Sequence, residues 1–291
     1  MNYNITSIIK SLMAAAAVAI MASSAYPSTL RNPGVAERYG WSEGDSVIVI
    51  PASVRQIPQY AFAGMEGLKR VEFAPSSQCR KIGEYAFAEC INLDSVSLPD
   101  GIGVIGEGAF RECLSLRSLI VPPQVWFIPK EMMHRCVALK RVVLPAGLQE
   151  IHAFAFAGCE GLEEIEIPAP VRKVGNNAFS RCVSLRELEL PAGVKELESY
   201  AFSDCLSMRR LRLSGSYNMI GELIISGCSS LELLEVPALK PPFIECESYL
   251  FDPDDTAAYE RCTLQVPAGS IQYYSRYHGW RLFRHIVPLT K

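Results

Sequence analysis

The sequence contains few of the residues, and none of the short motifs, from which catalytic sites are usually built. Its four histidines are well separated, at His134, His152, His278 and His285. No HExxH, GxSxG, P-loop or Rossmann glycine pattern occurs. No two cysteines lie two or three residues apart with a histidine nearby, which is the spacing of a zinc site. We therefore expect a protein without enzymatic activity and without a cofactor.

The sequence also lacks an excess of basic residues. Lys and Arg total 28 and Asp and Glu total 31, which gives a formal net charge of −3. A nucleic-acid-binding protein would show a basic excess or a basic stripe. We therefore do not expect a nucleic-acid partner.

Long hydrophobic runs are absent apart from one short stretch near the N-terminus. Residues 11–22 read SLMAAAAVAIMA, between a start that carries Lys10 and no acid and the small residues Ser23-Ser24-Ala25. This pattern predicts a cleaved signal peptide over residues 1–25, with an uncleaved anchor as the alternative, since the run is short for a membrane span. Cleavage would leave 27 basic and 31 acidic residues and a formal charge of −4, with no membrane span. We expect export to the cell surface, the periplasm or the extracellular space.

Cysteine, by contrast, is abundant and periodic. Seven of the ten cysteines follow one another at intervals of 23 residues: Cys90, Cys113, Cys136, Cys159, Cys182, Cys205 and Cys228. A fixed interval of this length predicts one structural unit copied end to end. Each cysteine has equivalent neighbours on both sides, and the same slot in the first full coil holds Met65. We therefore expect a buried column of free thiols, with Cys246 and Cys262 as the one candidate disulfide pair.

Other apolar positions keep the same interval. One column holds Ile82, Ile105, Ile128, Ile151, Val174, Leu197 and Ile220; a second holds Phe87, Phe110, Met133, Phe156, Phe179, Phe202 and Ile225; a third holds Leu93, Leu116, Leu139, Leu162, Leu185, Met208 and Leu231. Neighbouring units stacked on one another would bury these columns, with their strands paired in parallel at ~4.8 Å.

Each unit divides into three parts. The first is a short alternating strand such as residues 187–190, which read ELEL. A proline and a turn follow, as in Pro191-Ala192-Gly193. The third part is a compact segment in which Phe202 and Cys205 lie three apart, a spacing that predicts a single helical or 3₁₀ turn.

The full pattern resembles a known repeat family. Ile-Gly-x-x-Ala-Phe-x-x-Cys-x-x-Leu-x-x-Leu-x-Leu-Pro is similar to the BspA-like class of leucine-rich repeats, and residues 82–93 and 174–185 show it well. The coil at 122–144 departs most, with Pro129 for Gly and Met132-Met133 for Ala-Phe. The resemblance implies an α/β solenoid: a right-handed coil with a parallel β-sheet on the concave side and short helical or 3₁₀ turns on the other. It also implies a role in adhesion to host proteins and other cells.

The period sets the expected organisation of the chain. We predict a signal peptide at 1–25, an N-terminal cap at 26–47, the solenoid at 48–236, and an irregular excursion with a C-terminal capping module at 237–291. The tail, with Tyr273, Trp280 and Phe283, resembles the closing module of such proteins. It should lay a short aromatic-rich helix and a last strand over the open end of the core.

Outward positions of the predicted concave sheet are where a binding surface would lie, because solenoids bind partners on such faces. The candidate binding residues are Arg70, Glu72, Arg141, Glu164, Glu166, Glu187, Glu189, Arg210 and Arg212. Cross-strand pairing of Glu187 with Arg210 and of Glu189 with Arg212 would explain part of this charge structurally. Glu164 and Glu166 instead lie beside like charges, which predicts a surface for a basic or polyhydroxy partner.

Three functions follow from these features. The first is a secreted or surface-displayed, non-enzymatic recognition protein that binds a host extracellular or cell-surface protein through the concave sheet. The second is a scaffold that assembles other proteins of the cell envelope. The third is an enzyme with a site in residues 238–262, which offer several carboxylates but no organised nucleophile.

One acidic loop leaves a metal site open as an alternative. Asp252, Asp254 and Asp255 flank Pro253 and could hold a calcium ion. The full set of oxygen ligands is not visible in the sequence, so we expect no metal.

Overall fold

Alternating apolar and polar residues place a strand on one side of nearly every coil. The computed structural model describes residues 42, 44–215, 217 and 219–289. Leu188 and Leu190 are buried in their strand, whereas Glu187 and Glu189 are exposed. Successive coils pair in parallel one repeat apart, as in Glu187↔Arg210. The chain is therefore a parallel-strand β-solenoid of about 10 turns with little helix, which confirms the predicted solenoid.

The strands form two columns along the solenoid. We call the first the long-strand face: β1 (Val47–Ile50), β3 (Arg70–Phe73), β5 (Ser95–Val96), β7 (Ser118–Ile120), β9 (Arg141–Val143), β12 (Glu187–Leu190), β14 (Arg210–Leu213), β16 (Leu233–Glu235), β18 (Thr263–Val266) and β19 (His285–Pro288). We call the second the short-strand face: β2 (Gln56–Ile57), β4 (Lys81–Ile82), β6 (Val104–Ile105), β8 (Phe127–Ile128), β10 (Glu150–Ile151), β11 (Lys173–Val174), β13 (Glu196–Leu197), β15 (Met219–Ile220) and β17 (Phe243–Ile244). The second column was not predicted, although its inward residues are the predicted Ile column.

Hydrogen bonding along the two faces is interrupted. Both faces break between the coil that holds β5 and β6 and the coil that holds β7 and β8. The long-strand face breaks again between β9 and β12, where residues 163–167 form no strand. These breaks divide the long-strand face into three blocks.

The third side of each coil corrects the prediction of a helical or 3₁₀ turn. This segment is a pair of tight turns, with a left-handed residue at each of two positions four apart, such as Tyr85 (φ 51°) and Glu89 (φ 59°). Its backbone N–H groups donate to the next coil: Tyr85 to Glu107 O (2.8 Å), Phe87 to Ala109 O (2.9 Å) and Glu89 to Arg111 O (2.7 Å). In a helical turn these N–H groups would point along the helix axis to carbonyls of the same segment. Here they donate to the next coil, so hydrogen bonds between coils take the place of those within a helix.

The cysteine column lies in the core, as predicted, but its thiols also have a polar role. Each Sγ–H donates to the backbone carbonyl of the Phe-column residue in the preceding coil, at 3.0–3.3 Å, from Cys90 to Phe62 O through Cys228 to Phe202 O. Met65 occupies the same slot in the first full coil. Most of these carbonyls also accept from a backbone N–H three residues on, as Phe87 O does from Cys90 N (3.3 Å), so the thiol supplies a second hydrogen bond to a buried acceptor.

The thiols of the cysteine column should be unreactive in the folded protein. Burial raises the pKa of the Cys136 thiol to about 12 and also raises the pKa of Cys159. All ten cysteines are free, and only Cys246 is exposed, so the candidate bridge between Cys246 and Cys262 is not formed. Because the thiolate is the reactive species, a thiol reagent at pH 8 should label one cysteine rapidly in the native state. All ten should react in denaturant, and rapid labelling of several in the native state would contradict the buried column.

The C-terminal part closes the core with aromatic residues, through the short helix and last strand that the sequence predicts. Two α-helices occur here, α1 (Thr256–Arg261) and α2 (Ile271–Tyr274), and β19 pairs in parallel with β18. Tyr274 and Trp280 are buried and donate to the carbonyls of Ala238 (2.9 Å) and Pro242 (2.9 Å). Residues 1–25 and most of the predicted cap at 26–47 lie outside the described residues, and the proposed boundaries of the chain's regions stay a prediction.

Candidate binding surface

Strand pleating brings the outward residues of the long-strand face onto one surface, but the nine candidate residues do not form one cluster. Arg70 and Glu72 lie on β3, and β5 and β7 lie between them and Arg141. Arg70 Nη1 is 3.6 Å from Glu72 Oε1, with 55% and 45% of the two side chains exposed. Such an exposed pair contributes little stability. We therefore place these two residues outside the main candidate surface.

The two arginines of β14 are held mainly by a residue that the sequence analysis did not select. Arg210 Nη2 donates to both carboxylate oxygens of Glu235 at 3.0 Å, and Arg212 Nη1 donates to Glu235 Oε2 at 3.2 Å. The Glu235 side chain is only 6% exposed. This carboxylate raises the pKa of the Arg210 guanidinium. A buried carboxylate shared by two guanidiniums is a structural ion cluster, which leaves these arginines less available to a partner.

The predicted cross-strand pairs are confirmed in register and only partly as ion pairs. Glu187 lies opposite Arg210 and Glu189 opposite Arg212. Arg212 Nε lies 3.4 Å from Glu189 Oε1, whereas Arg210 turns towards Glu235. Glu235 could have been recognised from its position, since it is the outward carboxylate of the coil that follows the two arginines.

The strand that should join β9 to β12 is absent, and its sequence explains why. The acidic segment, residues 163–167, reads EEIEI and has the alternation of a strand, like the ELEL of β12. One repeat apart, Glu164 would lie beside Glu187 and Glu166 beside Glu189, and like charges directly opposite each other destabilise a strand pair. Pro170 replaces the glycine of the usual Pro-Ala-Gly turn, but the turn closes as in other coils, with Val171 N donating to Pro168 O (3.0 Å), which leaves the repulsion as the reason for the missing pairing. The segment therefore lies between its neighbours without joining the sheet.

A groove of about 630 Å³ lies where the sheet is interrupted. Its apolar lining includes Val142, Val143, Leu144 and Ile165, and its charged lining consists of Arg141, Glu164, Glu166 and Glu187. Four of the nine candidate residues thus meet in one place, with a formal charge of −2 from one guanidinium and three carboxylates. Within the described part of the chain these three carboxylates form no ion pair. The apolar lining and the turn at 168–170 were not predicted, although Pro170 marks the departure from the repeat.

In the irregular segment at 238–262, two of the acidic side chains have local structural partners. Asp252 accepts a hydrogen bond from Asp254 N (3.0 Å), and Asp255 caps α1 by accepting one from Ala258 N (3.0 Å). These carboxylates therefore act as local turn and helix caps. Among the described residues no group of three or more His, Cys, Asp or Glu side chains is placed to hold a metal ion. No helix there is both long and apolar enough to cross a membrane.

Several solved structures are similar to the chain. The solved structure of the pneumococcal vaccine antigen PcpA is similar, with 17% identity and a TM-score of 0.50 over 84% of this chain and 79% of that one. A leucine-rich cell surface protein from Faecalibacterium prausnitzii A2-165 matches with 22% identity and a TM-score of 0.48 over 84% and 79% of the two chains. A leucine-rich repeat protein of T. pallidum matches with 28% identity and a TM-score of 0.46 over 65% and 78%.

No protein with a curated description matches the chain. The family assignment comes instead from a sequence model described as a BspA type leucine-rich repeat region, in six copies, which matches residues 43–163 and 149–253. The match spans most of the two strand columns described above, including the groove. The chain therefore belongs to the BspA-type leucine-rich repeat family.

Proposed function

We propose that the chain is a non-enzymatic recognition module that binds a protein partner through the long-strand face, with the groove at the acidic segment as its centre. The groove carries this proposal. It combines an apolar lining with carboxylates that form no ion pair in the described part of the chain, and its position follows from a local failure of the repeat rather than from a requirement of the core. Recognition of protein partners is a general role of leucine-rich repeat proteins, and solenoid faces of this kind present extended binding surfaces.

The groove favours a basic partner. A lysine or arginine side chain can lay its aliphatic stem along Val143 and Ile165 and place its charged end among Glu164, Glu166 and Glu187. Neighbouring Ile120 is 68% exposed and pairs in register with Val143, which is 40% exposed. These two side chains extend the apolar surface on one side of the groove. A partner segment with basic and apolar residues in alternation would match both features.

The partner is proposed to lie outside the cytoplasm. The signal-peptide pattern of residues 1–25 supports export, and membership of a family with cell-surface members supports adhesin-like binding to a host or cell-surface protein. The alternative is a scaffold for the cell's own envelope proteins. Cross-linking in intact cells, with and without host cells, separates the two, because the scaffold captures only self partners.

Charge reversal of the groove tests the proposed surface. Glu164→Lys/Glu166→Lys/Glu187→Lys should weaken binding to extracellular-matrix and host-surface proteins by about tenfold or more, since charge pairs at interfaces contribute on the order of the 1.4 kcal/mol that a tenfold change represents. Surface plasmon resonance at several salt concentrations measures the change. The affinity of the wild type should fall as salt rises, because the attraction is screened.

A charge-matched variant controls for net charge. Glu66→Lys/Glu160→Lys/Glu232→Lys changes the same number of carboxylates at exposed positions outside the groove. It should bind like the wild type. Equal affinity of the groove variant and the wild type would remove the groove from the proposal, and equal loss in both variants would reduce it to an effect of overall charge.

A further inference from the structure

A second candidate surface lies on the short-strand face, in the coil that departs most from the repeat. Trp126 stands where other coils carry mostly basic or polar residues: Arg55, Arg80, Gly103, Gln149, Arg172 and Lys195. Phe127 occupies an outward strand position that holds Gln56, Lys81, Val104, Glu150, Lys173 or Glu196 in six other coils, and Met219 and Phe243 in the last two. Because these positions point away from the core, packing does not require an aromatic residue at either of them.

Three rings form a connected group here, which we call the aromatic patch: Trp126, Phe127 and His152. The Trp126 and Phe127 rings meet edge to face, with centroids 4.7 Å apart and planes at 74°. Phe127 stacks on His152 at 5.1 Å and 19°. Trp126 is 50% exposed, whereas the other two rings are half-buried. The indole is therefore held against a fixed support and faces solvent.

Fixed polar groups border the patch. Glu150 Oε2 lies 2.8 Å from His152 Nε2, and Glu150 pairs in register with Phe127 on one side and Lys173 on the other. The Lys173 ammonium is held by Glu196 (3.2 Å) and Glu198 (2.5 Å). An apolar ring surface with oriented acceptors and donors at its edge is the usual composition of a site for a small polar ligand.

The size of the patch favours a small ligand over a protein interface. Aromatic side chains bury ~150–250 Å² each, so Trp126 and Phe127 together offer at most ~500 Å². A standard protein interface buries ~800 Å² on each partner. A ligand of one to a few rings fits this area better.

We propose that the aromatic patch binds carbohydrate, with one pyranose ring stacked on Trp126. The C–H groups on one face of a pyranose carry a small positive charge and are attracted to the negative face of an aromatic ring. The ring hydroxyls can donate to Glu150 and accept from His152 or Lys173. A quaternary ammonium ligand would also favour an indole, but it does not offer the row of hydroxyl groups that the acceptors and donors at the edge of the patch can bind. The site is separate from the groove and does not depend on the function proposed there.

Oligosaccharide titrations test the inference. The full chain is titrated with tri- and tetrasaccharides of glucose, N-acetylglucosamine, galactose and mannose, and binding is followed by saturation-transfer NMR and tryptophan fluorescence. At least one of these sugars should bind, and Trp126→Ala should weaken it by about tenfold or more, as loss of aromatic stacking does. Trp126→Phe should retain part of the affinity. Leu206→Ala removes an exposed apolar side chain outside both candidate surfaces and should leave binding unchanged.

Other outcomes would overturn the inference. These are no binding of any sugar up to millimolar concentration, equal binding by Trp126→Ala and wild type, or binding of choline in place of the sugars. The fluorescence of buried Trp280 reports whether each variant is folded. Loss of binding through unfolding is therefore distinguishable from loss of the Trp126 ring.

Discussion

Phe179→Ala is expected to lower the free energy of unfolding by about 3–5 kcal/mol. The Phe179 side chain is fully buried and stacks on Phe156 at 5.1 Å and on Phe202 at 5.8 Å, so its removal opens a cavity between two coils. In a solenoid each coil contacts only its neighbours, and stability is the sum of coil and interface contributions. Loss of one ring therefore weakens two interfaces at once, and the array should begin to unfold at this coil.

Urea denaturation followed by circular dichroism measures this loss. Leu206→Ala is the matched control, because Leu206 lies in the next coil and is 47% exposed, and it should change stability by less than about 1 kcal/mol. Phe179→Leu should fall between the two variants, since it restores volume without the ring. A midpoint for Phe179→Ala equal to that of the wild type would contradict the continuous Phe column.

The columns of the core were predictable because they repeat. Inward slots such as those of Cys90 and Phe87 recur seven times at one interval, and burial is the property that every copy shares. The same interval gives the register of the parallel strands, so the pairing of Glu187 with Arg210 followed from counting. Redundancy across copies makes such predictions insensitive to local exceptions such as Met133.

The backbone of the turns was not predictable by the same reasoning. A spacing of three between Phe202 and Cys205 fits a helical turn and also fits the observed pair of left-handed turns at Tyr200 (φ 59°) and Asp204 (φ 58°). Glycine occupies these positions only at Gly64, Gly108, Gly158 and Gly227, and most copies carry a non-glycine residue, so the local signal for positive φ is weak in any one coil. The inter-coil hydrogen bonds decide the outcome, and they exist only once the coils have stacked.

The candidate site was predictable only in part, namely in which charged residues share one face. The outward charges of Glu164, Glu166 and Glu187 could be assigned to one face from the strand alternation. The break in the sheet could not be predicted in the same way, because it depends on repulsion between side chains of different coils. Similarly, Arg210 has carboxylates on both sides, and only the structure shows that it pairs with the buried Glu235.

Gly221→Ala is expected to destabilise the protein by about 3 kcal/mol or more, at or above the upper end of the range for overpacking. A Cβ at this position would lie 2.1 Å from Ser199 N and 2.3 Å from Glu198 C, both in the backbone of the preceding coil. A side chain can rotate away from such a contact, but a backbone that is hydrogen-bonded to its neighbours cannot. Gly221 N donates to Leu197 O at 2.7 Å, so the two coils would have to separate.

Gly147→Ala is the control, and its expected effect has the opposite sign. A Cβ there meets nothing within 4 Å, and the glycine does not have a left-handed φ. Alanine should therefore stabilise the protein by about 0.4–1 kcal/mol, because it reduces the freedom of the unfolded chain. The sequence does not show that Gly221 is required, since the equivalent position in other coils holds His152 and Glu198. Urea midpoints that move in opposite directions would establish that close approach of the backbones, not turn geometry, requires Gly221, and equal midpoints would refute it.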